Sequence, residues 1–213
     1  MLFRSKKHFI TGKVKEKYVA VKSASFDIEE GKTVGIVGES GSGKSTVGEI
    51  VGGLQEPTYG NVFYYGKNIN NLSDDEYEDY RKSVQFIFQD PKGSMDPNYK
   101  ILDILSMPLI TTNIAKNKSE AEKLIDKMLI RVGLDLNTKN KYAAEISGGQ
   151  CQRAAIARAL LVKPKLIICD EPVSALDVSI QAQILNLLKE LQKELNISYI
   201  FISHDIGVVN YMS

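Results

Sequence analysis

Two cysteines in 213 residues are too few and too far apart to build a metal cluster or a disulfide framework. Cys151 and Cys169 match no metal-ligand spacing, and both are expected to be reduced thiols in a cytosolic protein. An excess of one sign of charge is missing as well. Lys+Arg 27 stand against Asp+Glu 26, a formal net charge of +1, which excludes broad electrostatic attraction to nucleic acid or anionic lipid. Phosphate binding, if present, must be local. No apolar run approaches the ~18–20 residues needed to cross a bilayer, and no basic n-region runs into an apolar h-region. Work at a membrane would therefore pass through another chain. Repeats and low-complexity tracts are absent too. The rest is ordinary globular usage, with hydrophobic residues at 43% and charged residues at 25%, and the length suffices for one core or one core plus a small lobe.

Against this plain background one stretch is specific. Gly38 to Ser45 reads Gly-Glu-Ser-Gly-Ser-Gly-Lys-Ser, a phosphate-binding loop, and it has the context such a loop requires. The apolar run Val34-Gly35-Ile36-Val37 precedes it and an apolar-periodic stretch through Leu54 follows. A polyphosphate must be approached by several backbone N–H groups at once, and a Cβ would hold the main chain away. Gly38, Gly41 and Gly43 remove that obstacle. The helix that follows adds its unpaired first-turn N–H groups and the positive end of its dipole. Gly38, Glu39, Ser40, Gly41, Ser42, Gly43, Lys44, Ser45 and Thr46 are thus the candidate nucleotide-binding residues. Lys44 is expected to reach the β- and γ-phosphates and Ser45 to offer its hydroxyl oxygen to Mg²⁺.

The remaining pattern is that of an α/β protein. Residues 18–37 alternate like strands around a Glu29-Glu30-Gly31-Lys32 turn, and Gly60 to Tyr65 is β-rich, together suggesting an antiparallel layer. Helical spacing of Ala121, Leu124, Ile125, Met128, Leu129 and Val132 predicts a helix from Ser119. A second helix is expected from Gln150 to Leu161, a buried strand at 165–171, an amphipathic helix at 178–195 and a strand at Ser198 to Ile202. Strand and helix alternate as in a parallel sheet, interrupted by a helical insertion. The expected division is a catalytic core with its β layer at 1–90 and 162–213, and a helical lobe at 91–161.

A second constellation is Leu166-Ile167-Ile168-Cys169-Asp170-Glu171, an apolar strand ending in two carboxylates. In a parallel sheet the carboxyl ends of strands open on the ligand crevice, so both acids should arrive beside the phosphates. Asp170 suits Mg²⁺, which takes a few carboxylates and keeps several waters. Glu171 is then the candidate to orient or deprotonate an attacking water. A third element is Ser147-Gly148-Gly149-Gln150 at a helix start, which repeats the anion-binding logic of the first loop. One chain with two phosphate cradles makes sense if two such domains face each other.

The phosphate loop, the Ser-Gly-Gly-Gln run and the strand ending in Asp-Glu, in that order, resemble the ATP-binding cassette family over nearly the whole chain. The resemblance implies a phosphate-loop fold with a mostly parallel core sheet, an antiparallel β layer and a helical lobe. It also implies ATP and Mg²⁺ as ligands and a head-to-tail pair of cassettes. In that pair Ser147, Gly148, Gly149 and Gln150 would touch the γ-phosphate of the opposite subunit's nucleotide, and Asp177 in Ser174-Ala175-Leu176-Asp177 would cross the interface. Gln89 resembles the glutamine that touches Mg²⁺ and the attacking water. His204 resembles the histidine that senses the γ-phosphate. An aromatic side chain near the N-terminus would stack on adenine, with His8 or Phe9 nearest that place and Tyr18 a further choice.

A narrower likeness lies in Ile87-Phe88-Gln89-Asp90-Pro91, Ser94-Met95-Asp96-Pro97 and Gly38-Glu39-Ser40-Gly41, which look like the ATPase subunits of oligopeptide and dipeptide importers, a group that includes nickel importers. That likeness implies a peripheral protein on the cytoplasmic membrane face. Its partners would be a second, different ATPase subunit, transmembrane permease subunits and, indirectly, an extracellular substrate-binding protein, with no nucleic acid. Two alternatives stay open: a soluble cassette acting on nucleic acid or ribosomes, and a nucleotide-binding remnant without turnover. Cys151 departs from the family, where a long polar side chain usually follows the signature. Ser213 also follows His204 closely and the N-terminus is abrupt, so a fragment or the product of a split gene, with sheet edges or apolar faces uncovered, is expected.

Overall fold

The computed structural model describes residues 2–7 and 14–213, with side chains from residue 19 onward. Four apolar segments form its central parallel sheet. In chain order these are β3 (Thr33–Val37), β6 (Val84–Ile87), β7 (Leu166–Asp170) and β8 (Ser198–Ser203), and in space they run β3-β8-β7-β6. Ahead of them β1 (Leu2–Lys7) and β2 (Val14–Val21) pair antiparallel, and β4 (Phe63–Tyr64) with β5 (Lys67–Asn68) makes a short hairpin. The hairpin turns on Tyr65 and Gly66, both at positive φ (48° and 78°), the conformation that matches the twist of two-residue hairpins.

Period-two alternation divides the core between the two faces of the sheet. Ile167, Cys169, Tyr199 and Phe201 point into the larger cluster, and Ile168, Ile200 and Ile202 into the smaller. The smaller cluster lies beneath α1 (Lys44–Val51) and α2 (Asp74–Ser83). Helix α1 seats closely because Gly48 has no side chain: a Cβ there would lie 2.9 Å from Ile202 Cδ1 and 3.1 Å from Ile168 Cγ2. The larger cluster reaches through α3 (Ile101–Thr111), α4 (Lys118–Arg131) and α5 (Gly148–Leu161) to α6 (Val178–Leu195) and α7 (Ile206–Met212). Burial of each large aliphatic or aromatic side chain in it contributes about 1.5–3 kcal/mol. Among the described residues no helix is long and apolar enough to cross a membrane.

Most sequence expectations meet a matching element. The amphipathic helix at 178–195 has those same bounds, closed by Asn196 at φ 52°, a left-handed stop that asparagine tolerates. The helix expected from Ser119 is α4, and the one expected from Gln150 starts two residues earlier, at Gly148. The antiparallel layer differs from expectation, because residues 22–29 carry no strand. Their alternation still packs Ile28 against the smaller cluster, but a ladder needs a neighbouring backbone. Here the Ser198 hydroxyl donates to the Glu29 carbonyl at 3.1 Å and accepts from the Gly31 amide at 2.9 Å. The β-rich stretch at 60–65 likewise narrows to the two residues of β4. The segment between β6 and β7 is helical, as the insertion predicted.

Candidate functional site

Strand register assembles the site. Val37 lies opposite Ser203, Asp170 opposite Ile202, and Ile87 opposite Cys169. All four strands therefore end at one edge of the sheet, and the residues just beyond them meet: the loop at 38–43, Gln89, Glu171 and His204. That edge is where parallel sheets open a ligand crevice.

The crevice is a cleft of about 710 Å³ lined by Ala20, Glu39, Ser40, Gly41, Gly43, Lys44, Ser45, Thr46, Gln89, Glu171 and His204. Gly43 is left-handed at φ 96°, and a Cβ on it would come within 2.4 Å of the Ala20 carbonyl oxygen. The loop can wrap against β2 only with glycine there. No side chain caps α1, so its first N–H groups stay available to an anion. Lys44 is 7% exposed, and its Nζ donates to the carbonyls of Gly38 at 2.8 Å and Glu39 at 2.9 Å. The ammonium is thereby held under the loop that contains it, with Ser42 N closing that loop on the Glu39 carbonyl at 3.2 Å.

The two carboxylates have different surroundings. Asp170 is buried and its Oδ1 accepts from Ser45 Oγ at 3.1 Å. Burial pushes its carboxyl above the ordinary range. Glu171 and Glu49 push the same way, opposed by the Ser45 hydrogen bond and by Lys44. Glu171 sits one residue beyond the strand at φ 45°, its N–H donating to the Ile202 carbonyl at 2.9 Å. A non-glycine residue held there stores about 1–3 kcal/mol of strain, a common property of functional positions. Its side chain is the hub of the cleft. Oε2 accepts from Gln89 Nε2 at 3.3 Å and lies 3.2 Å from His204 Nδ1, while Oε1 lies 3.9 Å from Lys44 Nζ. The His204 backbone is steadied from the next residue, since Asp205 Oδ1 accepts from Gly207 N at 2.7 Å and caps α7.

Ser147, Gly148, Gly149 and Gln150 lie apart from this cleft. Ser147 is the N-cap of α5, accepting from Gln150 N at 3.3 Å while Gln150 Oε1 accepts from Ser147 N at 3.0 Å. This reciprocal cap fixes the helix start. The glycines lean on the segment that carries Asp177: a Cβ on Gly148 would meet Leu176 Cδ2 at 3.6 Å and one on Gly149 would meet Ile180 Cγ2 at 3.0 Å. The chain thus holds two groups, the cleft at the phosphate loop and the cradle of Ser147 beside Asp177. His8 and Phe9 lie outside the described residues, as does the side chain of Tyr18. Cys151 and Cys169 are buried free thiols, and burial raises both, which keeps them inert. Sequence reasoning missed Ala20, a cleft-lining residue whose carbonyl lies against Gly43 and which no side-chain motif announces.

Hard oxygen donors suit Mg²⁺, and the adjacent Ser45 hydroxyl and Asp170 carboxylate supply them. These residues fit that ion.

Comparison with known proteins gives one answer at every level. The profile of the ABC transporter family matches residues 21–174. The oligopeptide transport ATP-binding protein OppF of Haemophilus influenzae is 49% identical over 194 residues, 91% of this chain and 58% of that protein. OppF of Bacillus subtilis is 47% identical over 211 residues, 98% of this chain and 68% of that protein. The chain therefore spans about three fifths of the length of the first of these relatives. Among solved structures, a dimeric post-hydrolysis state of the ATP-binding cassette MJ0796 bound to ADP and Pi superposes with a TM-score of 0.85 at 34% identity. That match covers 99% of this chain and 89% of the other.

Proposed function

The chain belongs to the ABC transporter family, and on that premise we propose that it is the ATP-hydrolysing subunit of an importer that takes up oligopeptides or dipeptides through a membrane permease. The observation that carries this reading is the convergence of Lys44, Gln89 and His204 on the Glu171 carboxylate at the mouth of the phosphate loop. The peptide cargo rests on likeness to oligopeptide transport proteins of several bacteria and to a dipeptide transport protein of Lactococcus lactis.

In this reading the main-chain N–H groups of residues 41–45 and the Lys44 ammonium bind the β- and γ-phosphates of ATP. Ser45 and Asp170 hold Mg²⁺, with Gln89 offering its carboxamide oxygen. The ion neutralises charge on the phosphate oxygens when bound. Glu171 takes a proton from water as the water oxygen bonds to the γ-phosphorus. The bond from that phosphorus to the β–γ bridging oxygen breaks, and ADP and phosphate leave. His204 orients Glu171 and faces the charge that develops.

The cradle of Ser147, Gly148, Gly149 and Gln150, with Asp177 beside it, serves the nucleotide of a facing cassette. That facing subunit is a different ATPase of the same family, and the pair sits on permease subunits at the cytoplasmic membrane face. The permease in turn receives cargo from an extracellular binding protein. Residues 91–161 form the lobe that follows the nucleotide state, and His8 or Phe9 stacks on adenine. Phosphate release by Glu171→Gln tests the reaction. Bound fluorescent ATP should be retained while steady-state release falls about 100-fold or more. Release at the wild-type rate would refute the base assignment.

A further inference from the structure

Helix α1 is 8 residues long, about 12 Å from end to end, and only its first turn enters the proposed reaction. The last four carbonyls, those of residues 48–51, need donors from beyond the helix. Backbone groups meet three of them: Gly48 accepts from Gly52 N–H at 2.7 Å, Glu49 from Leu54 N–H at 2.8 Å and Ile50 from Gly53 N–H at 3.1 Å. The fourth belongs to Val51, and the hydroxyl of Tyr80 on α2 donates to it across 29 positions of sequence. Tyr77, one turn earlier on α2, donates to the Gly53 carbonyl at 3.3 Å. No basic residue lies in the last turn of α1, so two neutral hydroxyls stand where a cation often does.

Tyr80 is held to this place. It is 1% exposed, and its ring meets Tyr64 edge-on at 5.2 Å and Tyr77 at 6.1 Å between centroids. Burial pushes its phenol above the ordinary value, and Tyr77 and Tyr64 push the same way, so the hydroxyl keeps its proton and donates. Gly53, at φ 68°, admits both tyrosines over the helix end, since a Cβ there would lie 3.1 Å from Tyr77 Oη and 3.3 Å from Tyr80 Cε1. Helix α2 is itself fixed, by the reciprocal cap of Ser73 and Glu76 at its start and by Lys165 N–H on the Ser83 carbonyl at 2.8 Å at its end. A Cβ at Gly52, like one at Gly48, would press on Ile168. The face of α1 toward the sheet thus has no side chains at those two positions to interlock, and its placement along its axis is set at the ends.

We infer that Tyr80, with Tyr77 beside it, is a positioning residue for nucleotide binding: its hydroxyl pins the C-terminal end of α1 and so sets where the first-turn N–H groups and Lys44 meet the phosphates. The inference deepens the proposed ATPase function and rests on its nucleotide-binding half. A helix this short moves as a rod, so a shift at Val51 reappears at Lys44. Gln89, Glu171 and His204 follow the other strands, β6, β7 and β8, and keep their places. The tyrosines therefore govern binding and not the chemical step.

Tyr80→Phe in the full chain removes one oxygen and keeps the ring contacts. Fluorescent ATP is titrated well below each variant's melting transition, inorganic tripolyphosphate is then used to displace it, and phosphate release is followed in parallel. Kd for ATP should rise about tenfold, and KM with it, while kcat at saturating ATP changes by less than about twofold. Tripolyphosphate should weaken by the same factor, because the displaced groups face the phosphates and not the base. Wild-type Kd, a loss of kcat at unchanged KM, or a loss confined to ATP while tripolyphosphate binds as before would each overturn the inference. Should Tyr80→Phe fail to fold, Tyr77→Phe decides. A raised Kd for both ligands supports the inference, and wild-type Kd overturns it. If the unmodified chain binds ATP and both variants bind it as tightly, only the role of the tyrosines falls. If the unmodified chain binds no nucleotide, the ATPase reading falls and takes the inference with it.

Discussion

His204 Nδ1 lies 3.2 Å from Oε2 of Glu171, the same oxygen that accepts from Gln89 Nε2 at 3.3 Å. Two side chains from different loops therefore hold one carboxylate oxygen in place, and the orientation of Glu171 depends on both. His204→Ala should lower kcat for ATP hydrolysis about 100-fold with little change in ATP affinity. Parallel measurement of phosphate release and fluorescent-nucleotide binding checks this. A loss of affinity with unchanged kcat would place His204 in binding instead.

Asp170 sets stability against function. Its carboxyl is raised above the ordinary range by burial and by neighbouring carboxylates, so the folded protein binds that proton more tightly than the unfolded chain does. The associated stability is present below the unfolded value, about 3.9, and is lost as pH rises through the folded value. At neutral pH without divalent ions the charged form is penalised in the fold. Asp170→Asn should therefore raise the melting temperature at pH 7 in chelator, and the advantage should shrink as pH falls through the acid range. Phosphate release should be abolished in the same variant. Calorimetry across pH with and without Mg²⁺ checks both halves, and a lower melting temperature at pH 7 would contradict the burial argument.

Gly43 and Gly41 both have positive φ, at 96° and 79°, but only Gly43 is crowded. A Cβ at Gly43 would press on the Ala20 carbonyl at 2.4 Å, whereas one at Gly41 meets nothing within 4 Å. Gly43→Ala should displace the loop and weaken ATP binding at least tenfold, while Gly41→Ala carries only backbone strain of about 1–2 kcal/mol. Binding titrations of the two variants compare them, and equal losses would remove the β2 contact as the cause.

Leu129 is fully buried on α4, and its sequence neighbour Ile130 is 64% exposed. Leu129→Ala should lower unfolding free energy by about 2–5 kcal/mol, and Ile130→Ala by less than about 0.5 kcal/mol. Urea unfolding of both variants measures the difference. Similar losses at the two positions would mean that α4 faces the core differently.

Much of this was legible along the chain, for reasons that differ from element to element. Helix α6 was readable to the residue because a strong apolar stripe runs between a capping position at Asp177 and a left-handed stop at Asn196. Strand β7 was readable because it is apolar up to its last residue, Asp170, and lies between Pro164 and Glu171. Helix α2 was passed over: it is acidic and shows little apolar period, although Ser73 and Glu76 form the reciprocal cap that Ser-x-x-Glu advertises. Helix α3 was passed over for the opposite reason, since it is apolar on most sides and contains Pro108. The strand pattern at 22–29 brings only Ile28 onto the smaller cluster while Ala24 and Phe26 stay exposed, and pairing depends on a backbone neighbour that no local pattern contains.

The chain alone determined the chemistry that local order can encode: glycines where amides must approach an anion, a lysine and a serine at the helix they begin, and an acid pair at a strand end. Tertiary structure decided which of these groups meet. Ser45 reaches Asp170 across 125 positions, Gln89 reaches Glu171 across 82, and His204 reaches Glu171 across 33. Those meetings follow from the register of four parallel strands ending at one edge, while the cradle at Ser147 is held elsewhere by α5 and α6. Spacing in sequence carries no distance between strands, because the order β3-β8-β7-β6 is set by which apolar faces bury one another.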